Sequence, residues 1–419
     1  MSSSDNINVP ETGKRVELSS LDVQVSPPRV DFGLGTHQAP VDTLMKQELV
    51  LRNTLSQDVL VLVAPIDDPK NSYRFRVKVS HPQAFVVKAG TEERVVVHMK
   101  VLCTTSLKLE LSVKTWLSEG VEFKEAVIQF CTESELSPKL DPDELVKGDW
   151  IGCDSFFIVF KGVYRGRSVA ILDYKSPSDD RYLRIKEFEN QVRMMENIRH
   201  PAIVGFVGAV HDPGKLAIVE DYCRYGTLSD AMRNHPEAFT DRLKVKCLLD
   251  CSSAMLFLHR SGCVHRDLKP HNILMTSLNP DSEVCAKLTG FHCARDWNQS
   301  QLMVTMVGTP LFTAPEIMQA RPYDNSVDVY SFALVMYFVF SGRVPFQDDP
   351  ESDALLSFAH AVVAGKRPEI PASCPPKISD LIQKCWSGEP SERPSFEVVC
   401  NTLKEFFDQL GKENEEAMK

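Results

Sequence analysis

The sequence lacks the features that mark several classes of protein. Its 419 residues carry 47 Lys and Arg against 57 Asp and Glu, a net charge of −10, which gives no sign of the basic face of a nucleic-acid binder. The 12 cysteines are scattered and form no C-x-x-C pair, and several, such as Cys247 and Cys263, lie among apolar neighbours. We therefore expect buried, reduced thiols rather than disulfides or a zinc site.

Long apolar runs are also missing. The N-terminal residues MSSSDNINVPETGKR hold no apolar core of the kind that a signal peptide needs, and Met1 is not followed by the glycine that myristoylation requires. The longest apolar stretch, 327–341, is interrupted by Asp328 and is shorter than the roughly 20 residues that span a bilayer. The sequence thus predicts a cytoplasmic protein without a membrane span.

What is present is enough apolar material for more than one domain. Hydrophobic residues make up 43% of the chain, which allows two or three domains with cores of their own. Shifts in composition predict five segments: a disordered tail (1–20), a β-domain (21–132), a linker (133–144), a second domain (145–410) and a solvated tail (411–419).

The predicted β-domain consists of short β-branched runs separated by Gly, Pro, Asn, Asp and Ser. Apolar and polar residues alternate in YRFRVKV and LKLELSV, which indicates strands with one buried face. The spacing predicts an antiparallel sandwich of seven or eight strands. It resembles the Ig-like β-sandwich of the major-sperm-protein type, which implies a surface for docking another protein or the neighbouring domain. His37, His81 and His98 are isolated, so we expect surface or packed histidines rather than ligands.

The strongest motif in the second domain is HRDLKPHN at 265–272. It resembles the catalytic loop of protein kinases, and Lys269 beside Asp267 is of the serine/threonine type. The resemblance implies that Asp267 accepts the proton of the substrate hydroxyl, assisted by Lys269, and that Asn272 holds a metal ion, if the protein is active.

Further motifs follow in the order of the kinase family and cover about 260 residues: VGTPLFTAPE (307–316), the apolar stretch 323–346 and CWSGEPSERPSF (385–396). The resemblance is to the tyrosine-kinase-like serine/threonine group, and it implies an α+β bilobal fold. It also assigns structural roles to seven residues: His265, Arg266, Phe291, Thr309, Glu316, Asp328 and Arg393. Asp328 is expected to bind the His265–Arg266 backbone, and Arg393 to pair with Glu316.

Four positions depart from the family pattern where ATP and magnesium are normally held. The third-strand lysine is Leu172, its glutamate partner is Gln191 (or, with a register slip, Glu189), and the D-F-G aspartate is Gly290. Only Gly152 remains of the glycine-rich loop, where Asp154 is expected to bring negative charge and Phe157 bulk to the phosphate position. A leucine at this position cannot make the charge-assisted hydrogen bond to phosphate that a lysine makes.

The rest of the cleft resembles an intact kinase. Val159, Ala170 and Leu274 match the residues that stack with adenine, and the apolar stack expected to join the lobes is Phe206, Met195, Phe291 and His265. Glu220 falls where the gatekeeper side chain lies, although a register shift would instead turn it, or Asp221, to solvent.

The sequence therefore predicts a signalling protein, either a pseudokinase that acts as a scaffold or allosteric regulator, or an active or weakly active serine/threonine kinase. A third alternative is a nucleotide sensor that binds ATP without metal or turnover. Binding of ATP and Mg²⁺ is doubtful, and the expected partners are other proteins of kinase signalling, not nucleic acid. Ser300 and Thr305 are possible phosphorylation sites or ordinary loop hydroxyls.

Overall fold

The computed structural model describes residues 9–417 apart from 34–37, 65, 67, 69–70, 119, 121, 155, 176–180, 213, 297–308 and 348–354. His37, Ser300 and Thr305 lie outside the described residues. No helix within the described ranges is long and apolar enough to cross a membrane. No disulfide joins the cysteines, all of which the structure describes, and ten of them are buried.

The described residues of the N-terminal unit form strands, apart from short 3₁₀ turns. The strands are β1 (Thr12–Arg15), β2 (Gln24–Ser26), β3 (Arg29–Phe32), β4 (Leu44–Arg52), β5 (Val59–Val63), β6 (Phe75–Val79), β7 (Phe85–Val87), β8 (Glu92–Val101), β9 (Ser106–Leu117) and β10 (Glu122–Glu133). One sheet has the order β1-β10-β9-β5-β7, with β3 also on β10, and the other has the order β2-β4-β8-β6.

The two sheets share one apolar core, an arrangement compatible with a β-sandwich. Strand β5 alternates buried and half-buried residues and β6 alternates buried and exposed ones, because successive side chains of a strand point to opposite faces. Core residues come from both sheets, including Val61 of β5 and Val97 of β8. The ten described strands outnumber the seven or eight predicted. One apolar run, 21–32, forms two strands, β2 and β3, and β1 lies in the segment predicted to be a disordered tail.

Both predicted tails contain secondary structure. Within 1–20, residues 12–15 form β1 and pair in parallel with β10, for example Thr12 with Glu122. At the other end, the last helix continues to Ala417 through most of the segment predicted to be a solvated tail.

The C-terminal unit has a strand-rich part followed by a helical part. Strands β11 (Leu145–Cys153), β12 (Phe157–Tyr164), β13 (Arg167–Tyr174), β14 (Phe206–Val210) and β15 (Ala217–Asp221) form a sheet in the order β11-β12-β13-β15-β14, accompanied by α1 (Arg181–Asn197). The helices that follow are α2 (Leu228–Asn234), α3 (Asp241–Arg260), α4 (Pro315–Met318), α5 (Ser326–Ser341), α6 (Leu355–Val363), α7 (Pro376–Cys385) and α8 (Phe396–Ala417). Two small two-stranded sheets lie between α3 and α4, made by β16 (Cys263–Val264) with β19 (Arg295–Asp296) and by β17 (Ile273–Met275) with β18 (Ala286–Leu288).

Helix α5 is the centre of the helical part. Residues 327–340 are all buried, as expected of a helix that is apolar on every side. Gly342 ends it in the left-handed conformation at φ 68°, which glycine adopts without the penalty of a Cβ. The one charged residue in this buried run, Asp328, is fully buried and therefore requires polar partners.

Candidate active site

Asp328 holds the loop that contains the HRDLKPHN motif. Its carboxylate accepts hydrogen bonds from the backbone N–H of His265 (2.9 Å) and of Arg266 (2.8 Å), the contact that the resemblance implies. His259 Nε2 lies 2.9 Å from the same carboxylate. Arg266 has a positive φ of 66°, which is unfavourable for a residue with a Cβ, so these bonds fix a strained turn. The buried helix thereby sets the position of Asp267.

The carboxylate of Asp267 is surrounded by donors. One oxygen accepts from the backbone N–H and the hydroxyl of Thr309, both at 3.0 Å. The other lies 2.8 Å from Lys269 Nζ, 2.9 Å from Asn272 Nδ2 and 3.4 Å from His292 Nε2. Burial alone would raise the pKa of Asp267, but the hydrogen bonds and charges of His292 and Lys269 lower it far below the ordinary value. Asp267 is therefore ionised, and both of its oxygens already have partners.

His292 is the residue that sequence reasoning missed. Its side chain is only 7% exposed, and burial lowers its pKa, but hydrogen bonds to Asp267 and Cys293 raise the pKa to about 9. The imidazole is thus a buried cation at neutral pH, paired with Asp267. The sequence signal was a titratable residue in the third position of the Gly290-Phe291-His292 triplet, where the family pattern has glycine.

Phe156 covers His292 from the strand-rich part. The two ring centroids are 4.6 Å apart, with an interplanar angle of 34°. The prediction that Phe157 brings bulk to the phosphate position was wrong, because Phe157 is 2% exposed and packs on Tyr174 within the core. Side chains alternate across the strand, so the neighbouring phenylalanine is the one that reaches the cleft.

Hydrogen bonds of Asp154 and Lys175 hold the β11–β12 turn in its conformation. Asp154 Oδ1 accepts from the backbone N–H of Phe156 and of Phe157, both at 2.7 Å, and Lys175 Nζ donates to the Asp154 carbonyl oxygen at 2.8 Å. The Asp154 carboxylate, predicted to oppose phosphates, therefore stabilises this turn. Gly152 lies at the end of β11 and pairs with Val159 of β12.

The side chain of Asn272 occupies the space beside Gly290 where a Cβ would lie. Gly290 has φ 86°, and a Cβ added to it would lie 2.5 Å from Asn272 Cγ. Asn272 is turned toward Asp267, because its Nδ2 donates to the Asp267 carbonyl oxygen (2.7 Å) as well as to the carboxylate. As the side chains lie here, an aspartate at position 290 would collide with the asparagine expected to share its metal ion.

The position of the family's lysine lies on β13. Leu172 is half-buried against the apolar core, opposite Val159 and Ile218 on the neighbouring strands. On α1, Gln191 is half-buried, whereas Glu189 is exposed. Phe188 and Val192 belong to the buried face of α1, and Gln191 lies on the same side of the helix.

Two lysines in or next to the strands of the cleft, Lys161 and Lys175, make contacts away from Asp267. Lys161 Nζ lies 4.8 Å from the centre of the Tyr222 ring, and Lys175 binds the β11–β12 turn as described. Among the residues that the structure describes, the cation beside Asp267 from outside the catalytic loop is His292, and its charge is matched by that carboxylate.

Glu220 is buried at the back of the cleft. It is 3% exposed, and Thr289 Oγ1 donates to its carboxylate at 3.1 Å. Burial raises its pKa to about 7, despite the hydrogen bond from Thr289, which lowers it. Of the two registers considered, the structure has the one with Glu220 inside, while Asp221 pairs with Arg167 at 2.5 Å.

The residues of both expected apolar sets are buried or half-buried, and the expected ion pair forms within the helical part. His265 and Phe291 are buried, with ring centroids 5.4 Å apart, Met195 is buried and Phe206 is half-buried. In the other set Ala170 is buried, and Val159 and Leu274 are half-buried. Arg393 forms a bidentate pair with Glu316 at 2.6 and 2.9 Å.

A five-stranded sheet with one helix, followed by a helical part that carries a loop built around Asp267, is the architecture of protein kinases. A family model described as protein tyrosine and serine/threonine kinase matches residues 145–403. This match covers more than half of the chain, and the chain belongs to the protein kinase family.

Several curated kinases are similar to the chain. The probable serine/threonine-protein kinase gdt2 of Dictyostelium discoideum is 31% identical over 389 residues, which is 92% of this chain and 23% of that protein. The serine/threonine-protein kinase STY17 of Arabidopsis thaliana is 30% identical over 290 residues, 69% of this chain and 49% of that protein. The probable kinase gdt9 of Dictyostelium is 28% identical over 422 residues, 93% of this chain and 26% of that protein. The chain thus spans less than half the length of each of these relatives.

Proposed function

We propose that this chain is a pseudokinase, which uses its kinase unit (residues 145–417) as a scaffold or allosteric partner of other signalling proteins. The observation that carries the proposal is the environment of Asp267. Thr309, Lys269 and Asn272 already donate to its carboxylate, and His292 is its buried counter-ion. The first three contacts are also compatible with an active site, so the discriminating one is that of His292. A base paired with a buried cation, with its pKa held far below the ordinary value, is poorly suited to take a proton from a hydroxyl.

We infer further that the residues present do not fit magnesium-bound ATP. Leu172 offers no charge to the phosphates, and Gly290 offers no carboxylate to a metal ion. The Asn272 side chain fills the space in which a Cβ at position 290 would begin. Phe156 and His292, stacked on each other beside Asp267, present an aromatic ring instead of open backbone N–H groups.

The number of losses decides how much activity to expect. Removing one preorganised electrostatic contact commonly costs roughly 10²–10³ in rate. Phosphoryl transfer depends almost wholly on such contacts and on positioning, so the loss of the lysine, the glutamate and the metal ligand together leaves little catalysis. Residues that act as a unit are not additive, so the product of the single losses is an upper bound on the total effect.

A weakly active serine/threonine kinase is the second candidate. Asp267, Lys269 and Thr309 keep the mutual contacts that the family uses, and the curated relatives carry the names of serine/threonine kinases. This candidate requires His292 to leave Asp267 when substrate binds.

The first test is calorimetry of the purified chain with and without millimolar ATP, each with and without magnesium. A ligand at about 100 times its Kd stabilises a protein by roughly 2.7 kcal/mol, which is a measurable shift in Tm. We expect no shift under any condition. A shift that requires magnesium would favour the kinase candidate, and one without magnesium would favour a nucleotide sensor.

A phosphotransfer assay on a generic protein substrate completes the test. Asp267→Asn serves as the background control, because it removes the base while leaving a side chain of the same shape. Equal, background-level incorporation in both proteins is the expected result. Incorporation by the native chain that Asp267→Asn abolishes would overturn the proposal.

A further inference from the structure

The segment that joins the two units is bonded into the kinase unit. We define the connecting segment as residues 134–144, between β10 and β11. Its Leu140 N–H donates to the Ala209 carbonyl oxygen at 2.8 Å, and the Ala209 N–H donates to the Pro138 carbonyl oxygen at 2.7 Å. Ala209 lies on β14, the strand at the edge of the five-stranded sheet. The connecting segment thus pairs with an edge that would otherwise expose unpaired backbone groups.

The same segment is bonded into the N-terminal unit on its other side. The Thr104 N–H donates to the Lys139 carbonyl oxygen at 2.8 Å. The Thr104 hydroxyl donates to the Ser137 carbonyl oxygen (3.0 Å) and accepts from the Ser137 N–H (2.7 Å). Lys139 also pairs with Asp42 through its side chain. Residues 137–140 therefore contact both units at once.

A buried ion pair also links the connecting segment to the N-terminal unit. The side chain of Asp141 is 0% exposed, and Arg74 Nη2 lies 2.6 Å from its Oδ2. The Thr105 hydroxyl donates to the same oxygen at 2.6 Å. Both partners belong to the N-terminal unit, so a buried carboxylate of the connecting segment obtains its compensating charge from there. Separating the units would leave Asp141 without that charge, which buried carboxylates tolerate poorly.

Gly208 fits the connecting segment closely from the kinase side. A Cβ added to this β14 residue would lie 2.5 Å from the Pro138 carbonyl oxygen and 2.7 Å from Leu140 Cδ2. Gly208 is two residues from Phe206, which belongs to the apolar stack that joins the lobes. The contacts of the connecting segment with β14 therefore lie beside a residue that helps to join the two lobes of the kinase unit.

From these contacts we infer that the N-terminal unit is a fixed brace of the kinase N-lobe, held by the connecting segment, and not a docking module on a flexible tether. A partner that binds the N-terminal unit then acts directly on β14 of the kinase unit. The alignment with gdt2, which spans 92% of this chain, includes both units and the segment between them. This inference does not depend on whether the kinase unit is catalytically active.

Hydrogen exchange on the native 419-residue chain tests these contacts without any substitution. The amides of Leu140, Ala209 and Thr104 are expected to exchange at least about 1,000-fold more slowly than in an unstructured peptide, because their bonds break only when the connecting segment leaves one of the units. Exchange of Leu140 and Ala209 at the rate of a free peptide would overturn the inference.

Gly208→Val tests whether the fit to the connecting segment matters. Trypsin cleavage after Lys139 is expected to be about tenfold faster in this variant than in the native chain, with the calorimetric transition split in two. The matched control is Gly388→Ala, whose added Cβ meets no atom within 4 Å. Asp141→Asn is a milder variant for the case in which Gly208→Val does not fold. Cleavage after Lys139 at the control rate in both variants would contradict the inference.

Discussion

Replacing His292 by phenylalanine is expected to remove a stabilisation that depends on pH. The variant keeps an aromatic ring against Phe156 but has no imidazolium beside Asp267. In the folded chain, burial lowers the pKa of His292 but the hydrogen bonds to Asp267 and Cys293 raise it from the ordinary 6.5 to about 9. The folded state therefore holds this proton more tightly than the unfolded state does. The stabilisation is complete below about pH 6.5 and is lost as the pH rises through 9.

The difference between the two pKa values of His292 corresponds to roughly 3 kcal/mol. We treat this as an upper limit, because 3.4 Å is long for a charge-assisted hydrogen bond. For a unit of this size the Tm of the variant should be lower by up to about 6 °C at pH 6 and should approach that of the native chain above pH 9.

The assay is calorimetry of both proteins between pH 6 and 10. Taking the difference in Tm at each pH cancels titrations that the two proteins share. His98→Phe, in the N-terminal unit, controls for loss of a histidine elsewhere. A difference for His292→Phe that stays constant from pH 6 to 10 would refute the assignment of His292 as the buried counter-ion of Asp267.

Two further predictions concern single contacts. Arg393→Ala leaves the buried Glu316 without its partner and should lower the free energy of unfolding by about 3–5 kcal/mol in urea titrations, whereas Arg260→Ala, at an exposed ion pair, should cost about 1 kcal/mol or less; equal effects would contradict this. Gly290→Ala should lower the Tm more than Gly342→Ala does. Both glycines have positive φ, which costs a residue with a Cβ roughly 1–2 kcal/mol, but only at Gly290 would the Cβ also collide with a side chain; equal Tm values would argue against that close contact.

The contacts in the kinase unit that could be predicted from the sequence are those of residues whose type and motif allow a single structural role. Asp328 is the charged residue inside an apolar helix, so its need for buried donors could be anticipated, and the backbone N–H groups of His265 and Arg266 supply them. Arg393 and Glu316 lie 77 residues apart, yet each stands in a recognisable motif, and they meet in a bidentate pair. In these cases the motif itself encodes the contact.

The contacts of Phe156 and His292 could not be predicted in this way. The two residues are far apart in the chain, and neither stands in a motif as the residue type expected there. Which of two successive phenylalanines faces the cleft depends on the register of β12, which a shift of one residue reverses. The pairing of the connecting segment with β14 was equally hidden, because a polar, proline-containing segment has the composition of a free linker even where its backbone pairs with a strand edge.

The proposed pseudokinase is not expected to gain activity by a single substitution. Leu172→Lys would place an ammonium among half-buried apolar neighbours. The positions of the family's glutamate and metal-binding aspartate hold Gln191 and Gly290, neither of which carries a charge to pair with it. Gly290→Asp would bring a carboxylate against the Asn272 side chain and close to Asp267, whose existing counter-ion is His292. Each change alone introduces an unpaired charge into a site whose charges are now balanced, and such charges are costly when buried. The cleft is therefore better described as a rebuilt site with its own internal ion pair than as a kinase site with residues missing.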